Sequence, residues 1–113
     1  MYLRVTTVEV APEGIDEAVR YFRDVTLPMV RDTPGWAGTT VHVNREKGIM
    51  RFFAHFSSRE ALDSTSGVAN SIRSDVFAKH PGQKLLSVEI FEEALRVEPA
   101  REAKGCIVGK RST

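Results

Sequence analysis

The sequence predicts an α+β domain: one antiparallel sheet of four strands, with two helices packed on one of its faces, in the order β-α-β-β-α-β. Three observations carry this. Stretches of β-branched or alternating character recur at 2–10, 36–44, 48–56 and 84–92. Two of the stretches between them change to the three-and-four spacing of an amphipathic helix. Turn-forming residues mark the joints: Ala11-Pro12-Glu13-Gly14, Thr33-Pro34-Gly35, Arg45-Glu46-Lys47-Gly48 and His80-Pro81-Gly82-Gln83.

The first strand, Tyr2 to Val10, is rich in β-branched residues and free of Gly and Pro. From Ile15, the residues Ile15, Ala18, Val19, Phe22, Val25, Met29 and Val30 form an apolar stripe, with Asp16, Glu17, Arg20, Arg23, Asp24 and Arg31 on the other face. Pro28 lies inside this helix. It lacks an N–H and clashes with the carbonyl four residues back, which predicts a kink near Asp24 to Leu27. Trp36–Asn44 and Gly48–Phe56 are joined by a short Gly-containing connection and form a hairpin. With Asn44 opposite Ile49, one face carries Ala37, Thr39, Val41, Val43, Met50, Phe52, Ala54 and Phe56 and packs under the helices. The other carries Trp36, Thr40, His42, Arg51, Phe53 and His55. A slip of one residue exchanges the two sets.

Ser57-Ser58-Arg59-Glu60 reads as a capping box. It opens a second helix with Ala61, Leu62, Ala69, Ile72 and Val76 on its apolar side, broken or bent at Gly67. The last strand, Lys84 to Glu92, places Leu86, Val88 and Ile90 on one side. Residues 1–95 thus form the domain. The tail, 96–113, has five basic residues, two glycines and a proline, and its apolar piece Cys106-Ile107-Val108 is long enough to dock on a partner subunit.

Composition narrows the function classes. At 113 residues there is room for one domain, and 42% apolar content suffices for a core. Sixteen basic against fifteen acidic residues give a net charge of +1, without the basic field that nucleic-acid binding requires. No apolar run approaches the ~18 residues of a membrane span. The first residues lack the basic start and apolar run of a secretion signal, and the single cysteine allows no internal disulfide, so the expected location is cytoplasmic.

The element order is the split βαβ, or ferredoxin-like, plan. Its helices cover one sheet face only. Because Trp36 and Phe53 fall on the uncovered face, the expectation is a homodimer joined sheet to sheet, with these two aromatics in the interface.

The strand end Val8-Glu9-Val10, the helix end Thr33-Pro34-Gly35-Trp36 and the segment His55-Phe56-Ser57-Ser58-Arg59-Glu60-Ala61-Leu62 resemble the antibiotic biosynthesis monooxygenase-type domain of the dimeric α+β barrel superfamily. The resemblance covers about residues 2–95. It implies a dimer and a small monooxygenase-like protein. Relatives include cofactor-free oxygenases of quinols, anthrones and similar aromatic polyketides, haem-degrading enzymes, and small-aldehyde or sugar-phosphate processing proteins. Fold alone does not choose among these. The haem branch uses an Asn in strand one, a Trp early in helix two and a His some nine residues later. Those places fall on Thr6, Thr65 and Ser74, the last flanked by Arg73 and Asp75, so the resemblance does not extend to haem degradation.

Three functional readings follow. The first is cofactor-independent oxidation in a cleft between the helices and the apolar sheet face, lined by Thr6, Phe22, Phe52, Thr65 and Ile72. No metal or other cofactor is expected. The second is a non-catalytic, dimeric ligand-binding or structural domain of the same fold. The third is an isomerase or decarboxylase acting through a single histidine such as His55. His55 and His42 are the candidate bases, with a hydrogen-bonded interface histidine as the alternative. They stand about four residues apart along the sheet, roughly 13 Å, too far to share one metal. Trp36 suits either stacking on a planar substrate or anchoring the interface. Arg51, with Arg4 on the adjacent strand and Arg73, suits an anionic group, with a salt bridge to Glu9 or Glu89 as the alternative. Cys106 has no neighbouring His that would mark a nucleophile.

Overall fold

A computed structural model describes residues 1–99. Four strands, β1 (Tyr2–Glu9), β2 (Trp36–Asn44), β3 (Ile49–Phe56) and β4 (Lys84–Glu92), form one antiparallel sheet in the order β2-β3-β1-β4. Hairpin-linked β2 and β3 lie together, and β1 sits between β3 and β4. This is the ferredoxin-like arrangement that the element order predicts. Asn44 does stand opposite Ile49, followed by Val43–Met50, Val41–Phe52 and Thr39–Ala54. β1 pairs with β3 so that Val8, Thr6 and Arg4 share the face of Met50, Phe52 and Ala54.

The core gathers at the hairpin end of that covered face. Val8, Val10, Ile15, Ala18 and Met50 are buried there, with Val19, Val41, Phe52 and Phe77 packed around them. Ile15 and Met50 are wholly inaccessible, each worth about 2 kcal/mol of transfer free energy. Gly48, at φ +69°, brings the hairpin against the end of β1, where Val10 N donates to Gly48 O at 2.8 Å. A Cβ there would lie 2.4 Å from Val10 O.

Four local expectations need correction. The kink in the first helical stretch is a π turn. After α1 (Ile15–Tyr21) the chain widens over Phe22–Thr26, where Leu27 N–H bonds Phe22 O, five residues back, before α2 (Leu27–Val30). The wider turn begins earlier than the predicted Asp24–Leu27 bend, and it makes room for Pro28, which offers no N–H of its own. The second helical stretch divides at Thr65, not Gly67, into α3 (Arg59–Ser64) and α4 (Ser66–Lys79). Thr65 Oγ1 donates to Leu62 O at 2.8 Å, closing α3 with a side-chain bond. The cap of α3 is Ser58, whose Oγ accepts from Ala61 N at 3.1 Å, one residue later than the capping box reads. Finally, Trp36 does not lie on the uncovered face. An irregularity between Trp36 and Thr39 inserts a residue, so Trp36 pairs with Phe56 and turns to the helix side. Gly38, at φ +115°, supplies the backbone that this bulge needs.

The uncovered face carries Leu3, Val5, Arg51, Phe53, Glu89 and Phe91 around a shallow depression. β4 is exposed along nearly its whole length, including Leu85, Val88, Ile90 and Phe91. Among the described residues, no helix is long and apolar enough to cross a membrane. The tail's predicted docking segment and Cys106 lie outside the described residues.

Candidate functional site

Beyond the core, the same sheet face opens into a cleft. Its floor is Phe52, Ala54 and Phe56 from β3, Arg4 from β1, and Trp36 and Thr39 from β2. Phe22 and Thr26 from the π turn, Val30 and Thr33 form one wall. Thr65, Val68, Ala69, Ile72 and Arg73 form the other. The cleft is partly open to solvent, and its volume is about 110 Å³. Two of the wall elements are interruptions of helix: the π turn over Phe22–Thr26, ahead of Pro28, and the break at Thr65 between α3 and α4. Each leaves side chains at the cleft rather than in a continuous helix–sheet contact.

The lining is mostly apolar and aromatic. Phe22 and Phe52 meet with ring centroids 5.0 Å apart. Trp36 is fixed by its own Nε1–H, which donates to Thr39 Oγ1 at 2.9 Å. Bulge, tryptophan and threonine therefore act as one unit: the bulge turns the indole in, and the threonine two positions beyond the bulge's first residue holds it.

Into this apolar cleft projects Arg4, only 7% exposed. Its Nη2 donates to Leu62 O and to Thr65 Oγ1, each at 2.9 Å, and its guanidinium stands 5.4 Å from the Phe56 ring centroid. Both acceptors are neutral. Burial, and after it the charge of Arg73, holds the Arg4 pKa below its ordinary value, against an opposing pull from Asp63. Asp63 is committed to Arg59 at 3.0 Å. Arg73, half-buried on α4, is likewise held below its ordinary value by burial, and its Nη2 donates to Asn70 Oδ1. A guanidinium stays charged under any condition in which the protein folds. The cleft therefore holds two cations, and its lining contains no carboxylate.

The structure brings Phe22, Phe52, Thr65 and Ile72 together in this cleft. Thr6 is on the correct face but lies between Val88 and Phe52, outside the lining. His42, His55, Arg51 and Phe53 are on the opposite sheet face. There His42 packs edge-on to Phe53 at 5.0 Å, and Arg51 Nε donates to Thr7 Oγ1 at 3.3 Å. His55 Nδ1 is buried without a hydrogen-bond partner beside Leu3 of β1. None of these reaches the cleft, and His80 packs against Tyr21 at the far end of α4. Nor do Arg4 and Arg51 act as a pair: alternation along antiparallel strands sends them to opposite faces, and neither bonds Glu9 or Glu89. Among the described residues, no three His, Cys, Asp or Glu gather as a metal site. Arg4, Trp36, Thr39 and Arg73 were not in the predicted lining. The glycine inside strand two was the available signal for Trp36, since an isolated strand glycine marks a bulge.

Comparison with known proteins agrees with this geometry. No family model matches the chain. The uncharacterized protein Rv2557 of Mycobacterium tuberculosis is 26% identical over 93 residues, 82% of this chain and 41% of that protein. Rv2558 of the same organism is 33% identical over 48 residues, 42% of this chain and 20% of that protein. The chain thus spans less than half the length of the curated relatives it matches. Among solved structures, a monooxygenase from the gene ActVA-Orf6 of Streptomyces coelicolor, in complex with nanaomycin D, superposes with a TM-score of 0.69 at 17% identity, over 88% of this chain and 92% of that one. The heme-degrader MhuD of M. tuberculosis, with two hemes in its active site, gives 0.65 at 22% identity over 87% and 100%. A structure described as an antibiotic biosynthesis monooxygenase gives 0.58 at 17% over 85% and 100%. The chain has the fold of the antibiotic biosynthesis monooxygenase-type proteins. Its cleft does not fit a haem iron, because no His, Cys, Tyr or Met stands in the lining to serve as an axial ligand.

Proposed function

We propose that this monooxygenase-like fold oxidises an electron-rich hydroxyaromatic, a quinol, an anthrone or a similar aromatic polyketide, with molecular oxygen and without a cofactor. The observation that carries the reading is Arg4: a desolvated cation facing an aromatic cleft, bonded to neutral oxygens alone. Such a group stabilises an anion that forms next to it, and it does so most strongly where water is excluded.

The chemistry suits a site with no proton acceptor in its lining. The guanidinium field lowers the pKa of the bound hydroxyl or anthrone C–H, and the proton leaves to solvent at the cleft mouth. The substrate anion passes one electron to oxygen. The substrate radical and superoxide recombine, forming a C–O bond and a peroxide anion. That anion takes up a proton and loses water as the O–O bond breaks, leaving a carbonyl at the oxidised carbon. One oxygen atom enters the product and the other leaves as water. Trp36, Phe22 and Phe52 orient the ring, and Arg4 holds the negative oxygen.

The working unit in this proposal is a homodimer. Phe53 with Leu3, Val5 and Phe91 on the uncovered sheet face, and the exposed apolar residues of β4, are the surface a second copy covers. Trp36 has no place in that interface, since it lines the cleft.

A second reading, a ligand-binding domain without chemistry, is favoured by one observation: the cleft lining contains no acid–base side chain. Oxygen uptake with a panel of quinols and anthrones, corrected for autoxidation, separates the two. Uptake that saturates with substrate and is lost in Arg4→Met supports the oxidase. Ligands that bind but are not turned over support the second reading.

A further inference from the structure

Arg4 and Arg73 say more about the substrate than that an anion forms during the reaction. Both charges are present before any substrate arrives, in one cleft, with no carboxylate in its lining. Arg4 makes its hydrogen bonds through Nη2 alone, to a carbonyl and a hydroxyl. Arg73 gives its Nη2 to an amide oxygen. A guanidinium has five N–H donors in a planar fork that matches the two oxygens of a carboxylate. Elsewhere on the described chain, Arg23 and Arg96 find that match, each with two nitrogens on one carboxylate, and Arg45 and Arg59 each bond one carboxylate oxygen within 3.0 Å. Arg51, on the opposite sheet face, likewise bonds a hydroxyl rather than an acid; what sets Arg4 and Arg73 apart is that both line one cleft, from separate elements, β1 and α4, converging from floor and wall.

Size adds a second constraint. The cleft volume of about 110 Å³ is of the order that takes a single aromatic ring, given that a cavity of about 150 Å³ holds benzene. The aromatic walls suit a flat guest, and a multi-ring substrate enters by one ring only.

We infer that the substrate carries a carboxylate on the ring that enters the cleft, and that Arg4 and Arg73 bind it before oxidation. The ligand class is a hydroxyaryl carboxylate rather than a neutral quinol. This rests on the cleft being the substrate site of the proposed oxidation. Arg73, at the wall and half-exposed, sets the preference for the anion. Arg4, at the floor, fixes its position against the rings.

The test uses a matched pair of single-ring quinols, hydroquinone and its carboxylated counterpart 2,5-dihydroxybenzoate, with the full chain. Binding is followed anaerobically by titration calorimetry and by the emission of Trp36, the chain's single tryptophan. The carboxylated quinol is expected to bind at least tenfold tighter. Arg73→Gln brings the ratio of the two affinities toward one, and Arg4→Lys, which keeps the charge but loses the fork, weakens 2,5-dihydroxybenzoate about tenfold. Equal affinity for the two quinols, or a preference that Arg73→Gln leaves intact, overturns the inference. Oxygen uptake with the same pair keeps the two proposals apart. Carboxylate selectivity without turnover retains the anion site and removes the oxidation, whereas turnover of both quinols with no selectivity retains the oxidation and removes the anion site.

Discussion

The surface and the cleft of this molecule treat the same side chain differently. On the surface, Arg45 reaches Asp16 at 2.7 Å and Arg23 reaches Asp24 at 2.7 Å, both pairs more than half exposed. Such pairs contribute little, because water already solvates each partner. In the cleft, Arg4 is withdrawn from water and given only a carbonyl and a hydroxyl. A desolvated charge without a counter-charge is costly to folding. A fold optimised for stability alone has no reason to retain it, and that cost is the argument for a ligand. The largest expected effect breaks the comparison directly. Arg4→Met keeps the length and removes the charge. Leu62 O still accepts from Thr65 N and Thr65 Oγ1, so no buried carbonyl is orphaned. Stability in urea is expected to rise by about 1 kcal/mol, while oxygen uptake falls at least about a hundredfold. A loss of several kcal/mol would instead mark Arg4 as a structural tie between β1 and α3.

The second effect concerns the uncovered sheet face. Phe53→Glu puts a charge in the middle of the proposed interface, and sedimentation is expected to show the particle falling from twice the chain mass to once. Retention of the dimer moves the interface elsewhere, with exposed β4 the next surface to alter.

A third, smaller effect tests how Trp36 comes to belong to the cleft at all. Gly38 has open space where a Cβ would be, so Gly38→Ala meets no clash. It meets only the backbone penalty at φ +115°, about 1–3 kcal/mol. If that strain removes the bulge, β2 returns to simple alternation and the indole swings toward the uncovered face. The Trp36 emission then shifts to the red. An unshifted spectrum with lowered stability means that the Thr39 bond alone keeps the ring in place.

These residues also show how far the sequence could be read. The four strands, the hairpin register and four cleft residues were legible, because period and turn chemistry are local properties. Simple alternation puts Trp36 on the wrong face, because one inserted residue reverses everything beyond it and its only trace is a glycine. Arg4 was legible as a strand arginine but not as a cleft residue. Its face depends on how β1 registers against β3, a pairing across some fifty residues of chain that no local pattern encodes. Arg73 is legible as a candidate for an anionic group but not as a cleft residue, for a related reason: it sits beside the apolar stripe of α4, and only the packing of α4 over the sheet makes its position a wall.

The smallest effect completes the contrast between the two environments. The hydrogen bond from Arg45, and then its charge, holds the Asp16 carboxyl below the usual carboxylate range. A depressed folded-state pKa means that the native protein binds fewer protons than the unfolded chain in acid. The contribution is therefore fully present above the unfolded value, about 3.9, and is lost as pH falls through the folded one. Asp16→Asn is expected to flatten a small part of the acid limb of the stability curve, with the neutral plateau unchanged. Because the pair is exposed, 1 M salt should erase the difference from wild type. The effect of Arg4→Met should behave oppositely. Neither group bonded to Arg4 titrates, the one carboxylate that acts on it, Asp63, is held by Arg59, and Arg4 is almost wholly withdrawn from solvent, so its change in stability should largely persist across the acid limb and in salt. If the Arg4 effect instead fades with salt as the Asp16 effect does, the guanidinium is solvated, and the physical ground for an anion site in the cleft is gone.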